Sequence, residues 1–390
     1  MSIQPITTLG NAYSRNGWLP FGIKPEDRAH HIYILGQTGT GKSTLLRTMA
    51  LQDTKNGQGF CLIDPHGDLA KEVFKQADTN CLYWDIADPA SPFGYNPLTR
   101  IEKSLRPLIA SGFIDTLKHQ WADAWGPRME SLLRWSLLAL LDQPKATVVD
   151  IMPLLTNKDF RKQVIVNIED EECKRFWVEE YTALSYKTAF DGAAPIANKL
   201  SIFLSHPVIR KALTDPKIPL RFRKIMDEGQ TLIVNLSKGR LGAEAANIMG
   251  GLVVAGFRNA AFTREDQPEG LRKPYGILID EFHNFTTQTI AESLSELRKY
   301  RVNLTLSQQH SKQSDPKIRQ SLMGNIGTSI IFRLGLEDAD YFSRYLQFPR
   351  ERDLLNLPNH RAYCRLMIHG VQSKAFSVET INQNLKNQNS

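Results

Sequence analysis

The chain has 390 residues, 42% of them hydrophobic and 23% charged, with a formal net charge of +7. This is the make-up of a globular protein long enough for one large core or two smaller ones, and its basic balance suits a polyanionic partner such as nucleic acid. Cys61, Cys81, Cys173 and Cys364 lie far apart without a C-x-x-C pair, which excludes a patterned disulfide or zinc framework. No run of about 18 apolar residues and no signal-peptide pattern occurs, so a cytoplasmic protein without direct membrane insertion is expected.

Residues 1–30, rich in Gly, Pro and Asn, read as an irregular lead-in. Ile32-Tyr33-Ile34-Leu35 is a short buried-strand pattern, followed by a glycine-rich turn and a helical run over 43–51. Strands are predicted over 60–63, ending at Asp64-Pro65, and over 81–86. From 105 to 226 apolar residues recur at helical spacing, as in Leu132, Leu133, Trp135, Leu137, Leu138 and Leu141, with no strand-like alternation. Strands return over 232–236, 276–280, 302–306 and 329–334, with helices over 242–264 and 287–300 between them. Segments 362–368 and 375–378 resemble a hairpin, and a polar tail starts at Asn382.

The alternation predicts an α/β fold with a mainly parallel central sheet covered on both faces and interrupted by an all-α insertion. The expected parts are 1–104 and 227–381 for the α/β domain, 105–226 for the insertion and 382–390 for the tail.

Gly36-Gln37-Thr38-Gly39-Thr40-Gly41-Lys42-Ser43 matches G-x-x-x-x-G-K-[ST] between a strand and a helix. Glycines let backbone N–H groups curl around a β-phosphate, and the helix N-terminus adds its positive end. Lys42 is placed to reach the β- and γ-phosphates, and Ser43 to give its hydroxyl to Mg²⁺; Thr44 completes the nucleotide-binding run from Gly36. A glycine-rich turn without ligand is the plainer reading, and the strand-to-helix context argues against it.

Ile277-Leu278-Ile279-Asp280-Glu281 is an apolar strand ending in two acids. Asp280 would hold the Mg²⁺ shell through water and Glu281 would polarise the attacking water, which favours hydrolysis over transfer to a small molecule. After the strand over 302–306 come Ser307-Gln308-Gln309; Gln309 is the candidate for touching the γ-phosphate or orienting water. Arg298, Arg301 and Arg333 are candidates for an arginine supplied to a neighbouring subunit.

These residues together resemble the FtsK/HerA superfamily of hexameric DNA-pumping ATPases, and within it the soluble part of conjugative coupling proteins of the TraG/TraD type in type IV secretion. The P-loop, Asp64-Pro65-His66-Gly67-Asp68, the segment from Asp88-Pro89 to Tyr95-Asn96-Pro97-Leu98, the acids followed by Leu297-Arg298-Lys299-Tyr300, and Gln309 carry the likeness over roughly residues 30–380. The resemblance implies a RecA-like P-loop fold, the insertion at one mouth of a hexameric ring, ATP and Mg²⁺ as ligands, and translocation of DNA through a central channel.

Coupling proteins begin with transmembrane helices that are not found here, so any membrane link would run through a secretion partner. Some members carry an arginine just before the first strand; here His30 stands there with Arg28 two residues earlier, so Arg298 is the favoured trans-acting arginine. Arg221, Arg223 and Lys224, Lys238 and Arg240, and Lys312, Lys317 and Arg319 are candidate DNA contacts. Two other readings stand beside this one: an ATPase driving protein secretion or assembly without DNA, and a nucleotide-gated recruitment module.

Overall fold

The computed structural model describes residues 6–77, 81–99, 101–183, 186–285 and 287–381, and the predicted tail from Asn382 lies outside them. Apolar runs of four or five residues bounded by glycine or acidic turns become strands buried on both faces. The strands of the main sheet are β1 (Thr7–Ser14), β2 (Gly17–Ile23), β3 (Ile32–Leu35), β4 (Phe60–Asp64), β5 (Cys81–Asp85), β6 (Thr231–Asn235), β7 (Tyr275–Ile279), β8 (Val302–Gln308), β9 (Thr328–Ile331), β10 (Arg361–Arg365) and β11 (Phe376–Thr380). Their order across the sheet is β2-β1-β11-β10-β9-β3-β8-β7-β4-β6-β5.

From β9 through β3, β8, β7 and β4 to β6 every pairing is parallel. Every residue of β3, β4, β6 and β7 is buried. The far side, β10, β11, β1 and β2, is antiparallel, and β10 shows the half-buried alternation expected there. The expected α/β fold with a mainly parallel sheet is therefore the one observed.

One sheet face is covered by the helices Lys42–Lys55 and Asp68–Gln76, which place Leu45, Leu46, Met49, Leu69 and Val73 against Ile32, Ile34, Leu62 and Leu278. On the other face the Tyr33 ring meets Phe282 and Phe342, with centroids 6.2 and 6.3 Å away.

The reading of residues 1–30 as an irregular lead-in is corrected over the described residues 6–30. β1 and β2 form a hairpin closed by the two residues Arg15 and Asn16, and Pro25–Arg28 is a short helix. Arg28 then forks onto both oxygens of Asp53, at 2.6 and 2.7 Å, with both side chains buried. Removing one partner of such a pair strands the other charge away from water. Arg28→Ala is expected to lower unfolding stability by about 3–5 kcal/mol, read from the urea midpoint.

The segments 362–368 and 375–378 do pair, as β10 and β11 in antiparallel register. Between them a smaller hairpin, Met367–Ile368 with Val371–Gln372, turns through His369 and Gly370, both at positive φ.

By internal contacts the described residues divide into two units, one within 1–83, 223–235 and 261–390, the other within 84–222 and 236–260. The first holds the phosphate-binding loop and the acidic strand. The second is built on helices, among them Arg106–Gln120, Pro127–Leu141, Lys158–Val166 and Pro207–Thr214. Leu132, Leu133, Leu137, Leu140 and Leu141 are buried there, and Trp135, Phe176, Trp177 and Tyr181 form an aromatic cluster. No helix among the described residues is long and apolar enough to cross a membrane.

Candidate active site

Parallel strands carry their following loops to the same edge of a sheet. The loop after β3 is Gly36 to Ser43; the residues after β7 are Asp280 and Glu281; the residue after β8 is Gln309. Because β8 lies between β3 and β7, Gln309 emerges between the glycine-rich loop and the acids.

The loop has a shape that only glycine allows at its turn into the helix. Gly41 has φ +118°, and a Cβ placed there would lie 2.8 Å from His360 Nδ1. His360 also donates its backbone N–H to the Thr40 carbonyl at 2.8 Å. His360 thus supports the loop from 318 positions downstream of Lys42, and no local sequence pattern pointed to it. Thr40 Oγ1 and Lys42 Nζ both donate to the Gln37 carbonyl, at 2.7 and 3.1 Å. Lys42 is 5% exposed. Burial pulls its ammonium below the ordinary lysine range, while Glu281 and Asp280 push it back up.

Ser43 Oγ donates to Asp280 Oδ2 at 2.9 Å. The other oxygen, Oδ1, accepts from Ser307 Oγ at 2.8 Å and from the Glu281 backbone N–H at 3.1 Å. The carboxylate is thereby fixed facing the start of the phosphate-binding helix. Ser307, fully buried in β8, was not singled out from sequence, where it reads as an ordinary strand-tip serine.

Glu281 sits in the left-handed region, φ 48°, which turns its side chain back over the site. Gln309 Nε2 donates to Glu281 Oε1 at 2.8 Å, and Thr38 Oγ1 donates to Gln309 Oε1 at 2.9 Å. His283 Nδ1 lies 3.5 Å from Glu281 Oε2. Burial raises the Glu281 carboxyl above the ordinary range, with Asp280 adding to the rise and Gln309, Lys42 and His66 opposing it. A carboxylate so raised is a better proton acceptor than a solvated one.

Asp64 of the Asp64-Pro65-His66-Gly67-Asp68 motif serves the backbone. Its oxygens accept from the N–H groups of His66 and Ala70, both at 2.9 Å, which shapes the turn after β4.

The arginines separate by place. Arg298 and Arg301 precede β8, at the opposite edge of the sheet from Lys42; the seven residues of β8 correspond to about 23 Å of extended chain. Neither can act in the site of its own chain. Arg333 lies beside the loop, its Nε donating to Gln37 Oε1 at 3.3 Å and its Nη1 to the Leu357 carbonyl at 3.1 Å. Arg28 is consumed by Asp53.

Four of the eight residues in the basic clusters form ion pairs within the chain. Arg223 bonds Asp227 and Asp266, Lys224 bonds Glu228, Arg240 bonds Asp85, and Lys312 bonds Glu337.

The sequence model of the helicase HerA central domain (DUF87) matches residues 7–246, more than half of the chain. The chain belongs to the HerA family. It is a P-loop ATPase of the FtsK/HerA type. No curated protein matches this HerA-family chain. Among solved structures it is similar to the bacterial conjugative coupling protein TrwBdeltaN70, with TM-score 0.68 and 16% identity over 98% of this chain and 89% of that one. It is also similar to plasmid coupling protein TrwB in complex with ADP and Mg²⁺, with TM-score 0.66 and 16% identity over 92% and 87%. A third is VirB4 of Thermoanaerobacter pseudethanolicus, with TM-score 0.63 and 14% identity over 98% and 97%. At these identities the likeness establishes the RecA-like fold. Asp280, Glu281 and Gln309 fall beyond the family match, so their assignment rests on the geometry above.

Proposed function

We propose that this HerA-family ATPase is a cytoplasmic DNA motor that assembles as a ring, with six copies expected, and uses ATP hydrolysis to move DNA through its channel, as in conjugative or type IV secretion coupling. The observation that carries the ATPase chemistry is the meeting of Ser43, Asp280, Glu281 and Gln309 at the edge where the glycine-rich loop opens. The backbone of Gly36 to Thr44 takes the phosphates, and buried Lys42 holds the β- and γ-oxygens. The pair Ser43 and Asp280, already within hydrogen-bond reach, fits the inner and outer shell of Mg²⁺, whose charge would offset that of the phosphates.

Glu281 accepts the proton of the attacking water as its oxygen bonds to the γ-phosphorus and the bond to the β-phosphate oxygen breaks, giving ADP and phosphate. Gln309 holds the Glu281 carboxylate in place, and Arg298 of a neighbouring copy stabilises the transferred phosphoryl group. The segment 105–226 is proposed as the inserted all-α domain at one mouth of the ring.

Support for DNA as the substrate comes from the net charge of +7 and from the likeness to proteins described as conjugative coupling proteins. The internal pairing of Arg223, Arg240 and Lys312 favours, to that extent, the second reading, a secretion or assembly motor acting on protein with a membrane-bound secretion partner. One measurement separates them. Under the DNA reading, single- or double-stranded DNA raises ATP turnover several-fold, and the rise falls steeply between low and moderate salt because neutralised phosphates release counterions. Turnover indifferent to both DNA forms at every salt concentration would leave the protein-directed reading standing.

A further inference from the structure

We infer that His30 and His31, at the foot of the strand leading into the phosphate-binding loop, are positioning residues for Arg298. The inference rests on the proposal that Arg298 acts in the site of a neighbouring copy.

Arg298 opens a single 3-10 turn, Arg298–Tyr300, between the helix Gln288–Leu297 and β8. One turn this short, on a long flexible side chain, leaves the guanidinium many orientations. Three contacts from the two histidines restrict them. His31, 2% exposed, donates from Nε2 to the Leu294 carbonyl at 2.8 Å and accepts at Nδ1 from the Leu304 backbone N–H at 3.0 Å. One ring thus ties the helix before the turn to the strand after it. The arrangement demands a neutral ring, and burial holds His31 down to about 4.

His30 then touches the arginine itself: Arg298 Nη1 lies 3.1 Å from His30 Nδ1, the guanidinium donating and the ring nitrogen accepting. Burial first, and the guanidinium next, hold His30 below the ordinary histidine value against the pull of Asp27, which keeps that nitrogen free to accept. The backbone under both rings is pinned as well. The His30 carbonyl accepts from Gly327 N–H at 2.6 Å, the His31 carbonyl accepts from Thr328 N–H at 3.2 Å, and His31 is held at φ 63°. Of these anchors, Leu304 and Thr328 belong to strands of the sheet that carries the glycine-rich loop at its other edge, and Leu294 belongs to the helix Gln288–Leu297.

The consequence is a chain that presents its arginine in one orientation set by the strand that also positions its own nucleotide. The test uses the full chain and four substitutions: Arg298→Ala, His30→Ala, His30→Gln and His30→Lys. Turnover is measured at saturating ATP, with binding of a fluorescent ATP analogue and thermal unfolding alongside. Arg298→Ala is expected to lower turnover at least about tenfold without weakening analogue binding. His30→Lys, which opposes a cation to the guanidinium, and His30→Ala, which removes the acceptor, should lower turnover in the same direction. His30→Gln, which restores an acceptor, should recover most of it.

The double variant Arg298→Ala with His30→Ala should be no slower than Arg298→Ala alone, because the histidine acts only through the arginine. A merely structural histidine would add its defect to that of Arg298→Ala and would not be rescued by glutamine. Wild-type turnover in folded His30→Ala or His30→Lys, with Arg298→Ala impaired, overturns the positioning role. Wild-type turnover in Arg298→Ala overturns the trans-acting reading beneath it.

Discussion

Replacing Lys42 with alanine is expected to lower ATP turnover by roughly 10²–10³-fold, measured as phosphate release at saturating ATP. The size follows from where the ammonium sits. It is 5% exposed and held across the loop by the Gln37 carbonyl, so water cannot take over its charge when the side chain is removed. In such a site a charge is worth far more than at the surface, because the local dielectric is low and no solvent need reorganise. The variant should also bind ATP more weakly, since the same contact serves the ground state. Fold stability should change little: shortening Lys42 removes a buried ammonium that burial already disfavours. Turnover within twofold of wild type would remove Lys42 from the chemistry.

The second large effect is expected from Glu281→Gln. Glutamine keeps the shape and keeps an oxygen that can accept from Gln309, so ATP binding should be unchanged. It cannot take a proton, so turnover should fall about 10²–10⁴-fold. The pH dependence has a definite sign. Burial raises the Glu281 carboxyl above the ordinary range, so the wild-type rate should fall as pH drops through that raised value, where the carboxylate takes up a proton and can no longer act as base. The acidic limb should be absent in Glu281→Gln. A wild-type rate in that variant would transfer the proton-accepting role to another group.

The two halves of this site were legible because each is a contiguous stretch whose residue types admit few other uses. A strand, a glycine turn and a Lys-Ser pair opening a helix are all local, and so is an apolar strand ending in two acids. Gln309 was legible one step further, from its place after the next strand. What escaped depends on contacts distant in sequence. The hairpin of β1 and β2 reads as irregular because Gly10 and Gly22 break its alternation and Pro20 lies within it. The two glycines instead allow close backbone approach, Gly10 to β11 and Gly22 to β1. A Cβ on Gly10 would lie 2.2 Å from the Glu379 carbonyl oxygen, and one on Gly22 2.5 Å from that of Thr7, while Pro20 is tolerated because β2 is an edge strand. His360, Ser307 and His31 escaped for the same reason, since each acts on a residue brought to it only by the folded sheet. The charge clusters were legible as charge, and their acidic partners, such as Asp266 for Arg223 and Asp85 for Arg240, were not.

The common direction of β3, β8 and β7 gives the sheet two unlike rims: one carries the glycine-rich loop and the two acids, and the other carries Arg298 beside His30. If Arg298 acts in trans as proposed, one copy completes another by setting its second rim against the first rim of its neighbour. A two-fold dimer can do this only reciprocally, each copy lying antiparallel to the other, whereas a head-to-tail contact passes the donor in one direction. Repeated head-to-tail, the contact either closes on itself or grows as a filament whose last member always goes unserved. Under the proposed trans-acting role of Arg298, strand polarity therefore favours a closed assembly over an open filament, since only closure leaves no copy idle.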